Sequence, residues 1–162
     1  MEEMYKDGLV RAIGVSNFYP DRLMDLMVHH EVVPAVNQIE IHPFYQRQEE
    51  IEFMRNYNIQ PEAWGPFAEG RKNIFQNEVL RSIAEKYGKT VAQVILRWLT
   101  QKGIVAIPKT VRRERMIENI SIFDFELTQE DMEKIATLDE GQSAFFSHRD
   151  PEVVKWICSL KR

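Results

Sequence analysis

Short apolar runs rich in β-branched residues alternate along the chain with longer stretches in which apolar residues recur every three or four positions. The short runs predict four strands, at residues 9–16, 35–43, 59–66 and 104–108. The longer stretches predict helices at residues 20–30, 49–58, 77–88, 90–103, 112–123 and 128–141. Strands and helices in regular alternation indicate an α/β fold, in which a parallel sheet is connected by helical crossovers.

Local signals mark where several of these helices begin. Pro20 suits the first position of a helix, where the missing N–H costs nothing. Thr90 and Gln93 have the spacing of a capping box, and Thr128 is placed to be an N-cap. Pro61 weakens the third strand, because proline donates no hydrogen bond inside a sheet.

Two α/β architectures are compatible with this pattern. A doubly wound open sheet fits a chain of 162 residues, whereas a barrel of eight strand–helix units needs about 200–250 residues. Residues 1–6 nevertheless resemble the last turns of a helix that Gly8 closes, although no N-cap or strand precedes them. The chain therefore starts like part of a longer fold, and the pattern leaves both architectures open.

Composition narrows the class of protein. The content of 44% hydrophobic and 28% charged residues is typical of a globular protein, and no low-complexity linker divides the chain, so we expect one domain over residues 1–162. No apolar run reaches the ~18–20 residues of a membrane span, and the start "MEEMYKDG" lacks the features of a signal peptide. These features predict a cytoplasmic protein with no membrane partner.

Polar and aromatic residues follow the predicted strands at their carboxyl ends, where parallel sheets place their functional atoms. Ser16 and Asn17 end the first strand, Gln38 lies in the second and Trp64 ends the third. Together the three polar side chains could bind an uncharged amide, and Trp64 could stack on a planar ring. The alternative is ordinary turn capping for the polar residues and core packing for the tryptophan.

A cluster of four cations begins the helix that follows the fourth strand, in a chain whose net charge is −4. These residues are Lys109, Arg112, Arg113 and Arg115. A helix N-terminus is already partly positive, so each cation there costs roughly 0.3–1 kcal/mol unless an anion is bound. The cluster therefore predicts a phosphate site. A nucleic-acid surface is disfavoured, because the basic run is short and carries no interleaved aromatics.

No metal site is expected from the histidines, because none has ligand spacing with cysteine or carboxylate residues. The four are His29, His30, His42 and His148. We interpret them as solvent-facing or packing residues.

Taken together, four motifs resemble the second half of the aldo-keto reductases, in order and in spacing. They are "AIGVSNF", "VNQIEIHP", "EAWGPFAEG" and "IPKTVRRERMIENISIFDFELTQEDM". The similarity spans nearly the whole chain and is greatest to bacterial diketogluconate reductase-like members. The resemblance implies the C-terminal half, strands five to eight with their helices, of a TIM (β/α)8 barrel.

The resemblance also implies NADPH as the cofactor and assigns residues to each part of it. Ser16, Asn17 and Gln38 match positions that hold the nicotinamide amide, and Trp64 matches the residue that stacks on its ring. The loop Gly65, Pro66, Phe67 to Gly70 would cover the pyrophosphate. The 2′-phosphate and adenine would be bound by Lys109, Thr110, Val111, Arg115, Glu118 and Asn119.

In the family, the catalytic tyrosine and the lysine, aspartate and histidine that assist it come from the first four strands. The tyrosines of this chain match none of those positions, so no catalytic residue is assigned. The resemblance thus implies the cofactor-binding half of an enzyme that reduces a carbonyl substrate, and we expect the isolated chain to be inactive. A nucleotide-binding or sensing module is the alternative.

An isolated half-barrel would expose two edge strands of about 5–6 residues each. Open parallel edges are rare, so we expect a homo-oligomer or pairing with an N-terminal half.

Overall fold

The computed structural model describes residues 1–160. Its helices are α1 Glu2–Lys6, α2 Pro20–His29, α3 Gln48–Asn56, α4 Glu78–Tyr87, α5 Val91–Gln101, α6 Arg113–Ile120, α7 Gln129–Ala136 and α8 Pro151–Ser159. Its strands are β1 Gly14–Ser16, β2 Val36–Glu40, β3 Gln60–Trp64 and β4 Val105–Ala106. A 3-10 segment, Ala68–Gln76, joins β3 to α4. Within residues 1–160, no helix is long and apolar enough to cross a membrane.

All four strands are parallel and lie side by side in their sequence order, β1-β2-β3-β4. The pairing places Ser16 beside Gln38, Gln38 beside Glu62 and Glu62 beside Val105. The predicted α/β fold with a parallel sheet is confirmed. A doubly wound sheet reverses its strand order at a switch point, whereas barrel strands follow one another in sequence. The observed order is therefore that of a barrel.

One face of the sheet is buried against the helices. Ile39, Ile41 and Ala63 of the strand region pack into a core that includes the fully buried Trp98 and Leu99 of α5. Side chains alternate between the two faces of a strand, so the neighbouring residues point to the opposite face. The opposite face is polar and more open, and it carries the row formed by Ser16, Gln38 and Glu62.

The edge strands are shorter than predicted. The first strand was expected over 9–16 but covers only Gly14–Ser16, because the amides of Leu9 and Val10 bond to the carbonyl of Met4 and continue the end of α1. With three residues in β1 and two in β4, the expected edges of 5–6 residues are wrong. Pro61, by contrast, lies inside β3 and is buried.

Candidate functional site

A network of hydrogen bonds connects the carboxyl ends of the first three strands. The Ser16 hydroxyl donates to the Gln38 carbonyl oxygen at 2.9 Å, and the Asn17 amide Nδ2 donates to Ser16 Oγ at 3.1 Å. The Trp64 indole Nε1 donates to Asn17 Oδ1 at 2.7 Å, and Gln38 Nε2 donates to Glu62 Oε1 at 2.5 Å. Four residues that the sequence singled out, Ser16, Asn17, Gln38 and Trp64, are thus brought together.

This network leaves hydrogen-bonding capacity that suits a carboxamide. Asn17 uses its Oδ1 and one of its two amide protons, so one proton is left to donate. Gln38 donates one of its two amide protons to Glu62, which leaves the other proton as a donor and Oε1 as an acceptor. Asn17 adopts a left-handed backbone conformation, φ 61°, which asparagine tolerates better than most residues. Two donor protons and one acceptor therefore remain, which is enough to bind the C=O and NH2 of an amide.

Aromatic residues from the C-terminal part of the chain surround Trp64. The Phe145 ring lies 5.2 Å from the indole and the His148 ring 6.4 Å. Burial lowers the pKa of the His148 imidazole, which favours its neutral form. Trp64 is half-buried, and it is available for stacking only on the surface that Phe145 and His148 leave uncovered.

The segment after β3, which was predicted as a loop, is a series of turns held by contacts with the C-terminal part of the chain. Gly65 and Gly70 have φ of 60° and 78°, and Pro66 is buried beneath them. Arg71 donates to the carbonyl of Ala144 at 3.0 Å and lies over the Phe145 ring at 4.3 Å. The segment is therefore held to the C-terminal part of the chain.

A groove of about 370 Å³ lies between this segment, the N-terminus of α5 and α6. Its lining residues are Phe67, Phe75, Thr90, Val91, Ala92, Lys109, Thr110, Arg115, Glu118 and Asn119. Six of them were predicted site residues: Phe67, Lys109, Thr110, Arg115, Glu118 and Asn119. Val111 was predicted with them but does not line the groove, and its side chain is 81% exposed. Arg112 and Arg113 do not line the groove either. Of the four basic residues in the cluster, only Lys109 and Arg115 do so.

Basic side chains lie at one end of the groove, and a hydrogen-bonded carboxylate lies at the other. Lys109 and Arg115 are exposed, and neither takes part in the ion pairs found within residues 1–160. Glu118 Oε1 accepts a 2.5 Å hydrogen bond from Thr90 Oγ1 at the start of α5. The N-cap of α6, Arg112, makes no side-chain capping bond, so the amides of its first turn add to the positive potential.

Sequence reasoning missed a buried carboxylate beside this site. Glu40 Oε1 accepts from His42 Nε2 at 3.0 Å and from the amide of Ala144 at 2.8 Å, and Oε2 accepts from Ser143 Oγ at 2.5 Å. Burial opposes the charged form, but these hydrogen bonds outweigh it and lower the pKa of Glu40. The carboxylate thereby fixes the backbone next to Phe145. Two of its three partners, Ser143 and Ala144, lie about a hundred residues away, and the third, His42, is two residues away and was not recognised as a partner.

Comparisons with known proteins agree with this geometry. The family model described as "Aldo/keto reductase family" matches residues 1–140. Glyoxal reductase of Bacillus subtilis strain 168 is 50% identical over 142 residues, which are 88% of this chain and 51% of that enzyme.

Two solved structures share the fold and about two-fifths of the sequence. MGS-M4, an aldo-keto reductase from a Medee basin deep-sea metagenome library, has a TM-score of 0.89 and 39% identity, over 92% of this chain and 55% of its own. An aldo-keto reductase of the silkworm Bombyx mori complexed with NADPH has a TM-score of 0.82 and 38% identity, over 90% of this chain and 47% of its own.

The chain spans about half the length of these relatives. The match to the family model nevertheless extends over most of the chain, from the first residue through α7. The predicted family is therefore confirmed: this chain belongs to the aldo/keto reductase family.

Proposed function

We propose that the chain is the C-terminal, cofactor-binding half of an eight-stranded barrel and that it binds NADPH. The groove that combines Lys109, Thr110, Arg115, Glu118 and Asn119 is the observation that carries the proposal. The crystallised silkworm relative supports it, because that protein is complexed with NADPH. The consecutive parallel strand order supports the barrel.

The adenosine end of the cofactor fits the groove by charge and by polarity. A 2′-phosphate carries nearly two negative charges, which Lys109 and Arg115 would neutralise together with the amides at the start of α6. Asn119 would offer an amide, and Glu118 a carboxylate, to the adenine. Phe67 and Phe75 line the same groove, with ring centroids 5.7 Å apart, and give the adenosine an apolar surface.

The nicotinamide end fits the polar row at the strand ends. Asn17 retains one donor, Gln38 retains one donor and one acceptor, and Ser16 holds Asn17 in place. Trp64, which Asn17 fixes through its indole nitrogen, would pack on the ring. The turns from Gly65 to Gly70, with Pro66 and Phe67 between them, would lie over the pyrophosphate.

When bound, NADPH supplies the hydride that reduces a carbonyl to an alcohol. The residues of this chain bind and orient the cofactor. A small dialdehyde is the substrate class favoured by the similarity to glyoxal reductase. We place the protein in the cytoplasm.

The discriminating experiment compares NADPH with NADH, which differ only in the 2′-phosphate. NADPH should protect the chain from thermal unfolding more than NADH does. Arg115→Ala should remove about 1–3 kcal/mol of this preference, the usual range for hydrogen bonds to charged groups. Arg113→Ala is the matched control, because Arg113 begins the same helix but does not line the groove. Equal protection of the unmodified chain by the two cofactors would exclude the 2′-phosphate assignment.

A nucleotide-binding module without turnover is the second candidate, and the environments of two tyrosines favour it for the chain on its own. The hydroxyl of Tyr87 donates to Asp131 in the α4–α7 contact. Burial raises the pKa of Tyr45 to about 12, which makes it a poor acid. Turnover of an aldehyde by the purified chain would exclude this second candidate, whereas its absence is expected of both.

A further inference from the structure

A cavity of about 560 Å³ lies between the start of α2 and the start of α8. Six of its lining residues are Tyr19, Asp21, Arg22, His148, Arg149 and Lys155. We call this space the tail cavity. Its volume is typical of a site for a small molecule. It shares no residue with the groove that contains Lys109 and Arg115, so it is separate from the proposed 2′-phosphate site.

Half of these six residues lie beyond the part of the chain that the family model covers. The match ends at residue 140, whereas His148, Arg149 and Lys155 belong to the C-terminal segment. Membership of the family therefore does not describe the chemistry of the tail cavity.

Contacts between its two walls fix the shape of the tail cavity. Arg149 Nη2 lies 3.5 Å from Asp21 Oδ1, and the Arg149 guanidinium lies over the Tyr19 ring at 4.0 Å. The Tyr19 ring also contacts the guanidinium of the buried Arg47, at 4.6 Å. On the other wall, the Asp150 side chain caps the start of α8. A ligand would therefore meet charged groups that are already in place.

Cations are in excess around the tail cavity. Its lining contains three, Arg22, Arg149 and Lys155, and one carboxylate, Asp21, although the chain as a whole has a net charge of −4. The pairing of Arg149 with Asp21 leaves the charges of Arg22 and Lys155 to be neutralised. Like charges around one cavity repel each other, so this arrangement favours a bound anion.

Arg22 and Lys155 keep most of their capacity to bind an anion. Arg22 takes part in none of the ion pairs found within residues 1–160. Asp25, one turn further along α2, lies 3.5 Å from His29 instead. Lys155 is 3.8 Å from Glu152, but both side chains are largely exposed, and such exposed pairs are weak. The two cations belong to opposite walls, one on α2 and one on α8.

We propose that the tail cavity binds a small dicarboxylate, one carboxylate of which pairs with Arg22 and the other with Arg149 and Lys155. Two negative charges at separate ends of the ligand match two cationic walls and neutralise the excess charge of the lining. The planar guanidinium of arginine binds a carboxylate through two parallel hydrogen bonds. Inorganic phosphate concentrates its charge on one centre, so it matches the two walls less well.

Such a ligand joins α2 to the segment that packs on Trp64. His148 lines the tail cavity, and its ring lies 6.4 Å from the Trp64 ring. Asn17, which accepts the indole hydrogen bond of Trp64, lines the same cavity. The dicarboxylate would therefore stabilise the surroundings of Trp64 without occupying the groove proposed for the adenosine end of NADPH.

Titration of the 162-residue chain with succinate tests the proposal. Succinamide is the matched neutral ligand, because amides replace both carboxylates on the same carbon chain. Saturation-transfer NMR at constant ionic strength observes the methylene protons of either ligand. We expect succinate to bind at least about tenfold more tightly than succinamide, since its hydrogen bonds are charge-assisted.

Two results of this titration would overturn the proposal. Succinate that does not bind, or that binds no better than succinamide, would show that the cations form an ordinary solvated surface. Inorganic phosphate that binds more tightly than succinate, measured by its displacement of succinate, would exclude the choice of a dicarboxylate.

Variants locate the site. Arg22→Gln and Lys155→Gln each remove a cation from one wall, and each should weaken succinate binding by about tenfold. All the replaced side chains are exposed, so the variants should melt like the unmodified chain without succinate. Arg11→Gln is the matched control, because Arg11 is also exposed and makes no ion pair within residues 1–160, but does not line the tail cavity.

The pattern across the variants decides whether the ligand joins the two walls. Weakening by Arg22→Gln alone would contradict a ligand that reaches α8. Equal weakening by all three variants would contradict a defined site. These titrations need no NADPH, so they fail or succeed independently of the proposed cofactor.

Discussion

Asp131 is a buried carboxylate that joins α4 to α7. It accepts hydrogen bonds from Lys86 Nζ at 2.8 Å, from the Tyr87 hydroxyl at 2.5 Å and from Thr128 Oγ1 at 2.7 Å. Burial opposes ionisation, but the bonds from Lys86, Tyr87 and Thr128 outweigh it and lower the pKa of Asp131 well below 3.8. The folded state therefore stabilises the ionised form of Asp131 more than the unfolded state does.

A pH dependence of stability follows from this shift. Because the pKa of Asp131 is lower in the folded state, its contribution is fully present above the unfolded value of 3.8 and is lost as pH falls through the folded value. Asp131→Asn should cost about 1–3 kcal/mol of unfolding free energy at pH 7, and this difference should shrink below about pH 4. Denaturant titrations at several pH values measure it. Glu126→Gln, an exposed control, should show no such trend, and a difference that persists at low pH would contradict the linkage.

Residues with local roles could be predicted from the sequence, and residues with distant partners could not. The capping box of Thr90 and Gln93 and the N-cap at Thr128 are formed as predicted, because each partner lies within one helical turn. Thr128 also forms a capping box with Asp131, which was not predicted. Glu40 escaped prediction since its function depends on Ser143. His42 was interpreted only as a solvent-facing or packing residue, and it proves to be a buried donor to Glu40.

At the scale of the elements, β1 and β2 approach so closely that only glycine fits at one position. A Cβ added to Gly14 would lie 2.3 Å from Val36 Cγ1 and 2.8 Å from the Val36 carbonyl oxygen. The Val36 side chain could rotate away from this added Cβ, but the Val36 carbonyl oxygen is part of the β2 backbone and could move only with the strand. The pairing next to Ser16 and Gln38 therefore depends on the absence of a side chain.

Gly14→Ala should separate the two strands and destabilise the protein by about 1–3 kcal/mol. It should also reduce thermal protection by NADPH, because the residues proposed to bind the nicotinamide amide, Ser16, Asn17 and Gln38, lie in or directly after these strands. Gly141→Ala is the control: it forces a side chain into φ 67° but meets no atom within 4 Å. Both variants are measured by chemical denaturation and by the NADPH-induced melting shift, and equal loss of the shift in both would argue against the role of Gly14.

Helices were predicted better than the turns that connect them. Amphipathic spacing located α2 to α7 with ends that differ from the structure by up to five residues. All of them except α6 bury apolar residues in the core, and α6 buries none. The segment Ala68–Gln76 was missed as an ordered element. Several of its non-glycine residues have positive φ, and its conformation depends on contacts such as the Lys72–Glu140 ion pair, which no periodicity reveals.

At the scale of the whole molecule, we expect the purified chain to bind NADPH without reducing glyoxal. Positioned proton transfer usually contributes 10²–10⁴-fold to such reactions, and no donor has been assigned. The loss of NADPH absorbance measures turnover, with Bacillus subtilis glyoxal reductase as the positive control. Sustained turnover would contradict the expectation. Tyr19 would then be tested as the acid by Tyr19→Phe, because it shares a cavity with Asn17.

The strand order and the Glu40 contacts together determine the order in which parts of the protein can fold during synthesis. Strands that pair in the sheet are consecutive along the chain. The sheet can therefore grow strand by strand as the polypeptide emerges. Glu40 and Ser143, in contrast, are 103 residues apart, and contacts that close such long loops form late. Nearly the whole chain has to be translated before the backbone beside Trp64 is fixed. The surroundings of Trp64, the proposed nicotinamide end of the site, are thus expected to become ordered later than the sheet.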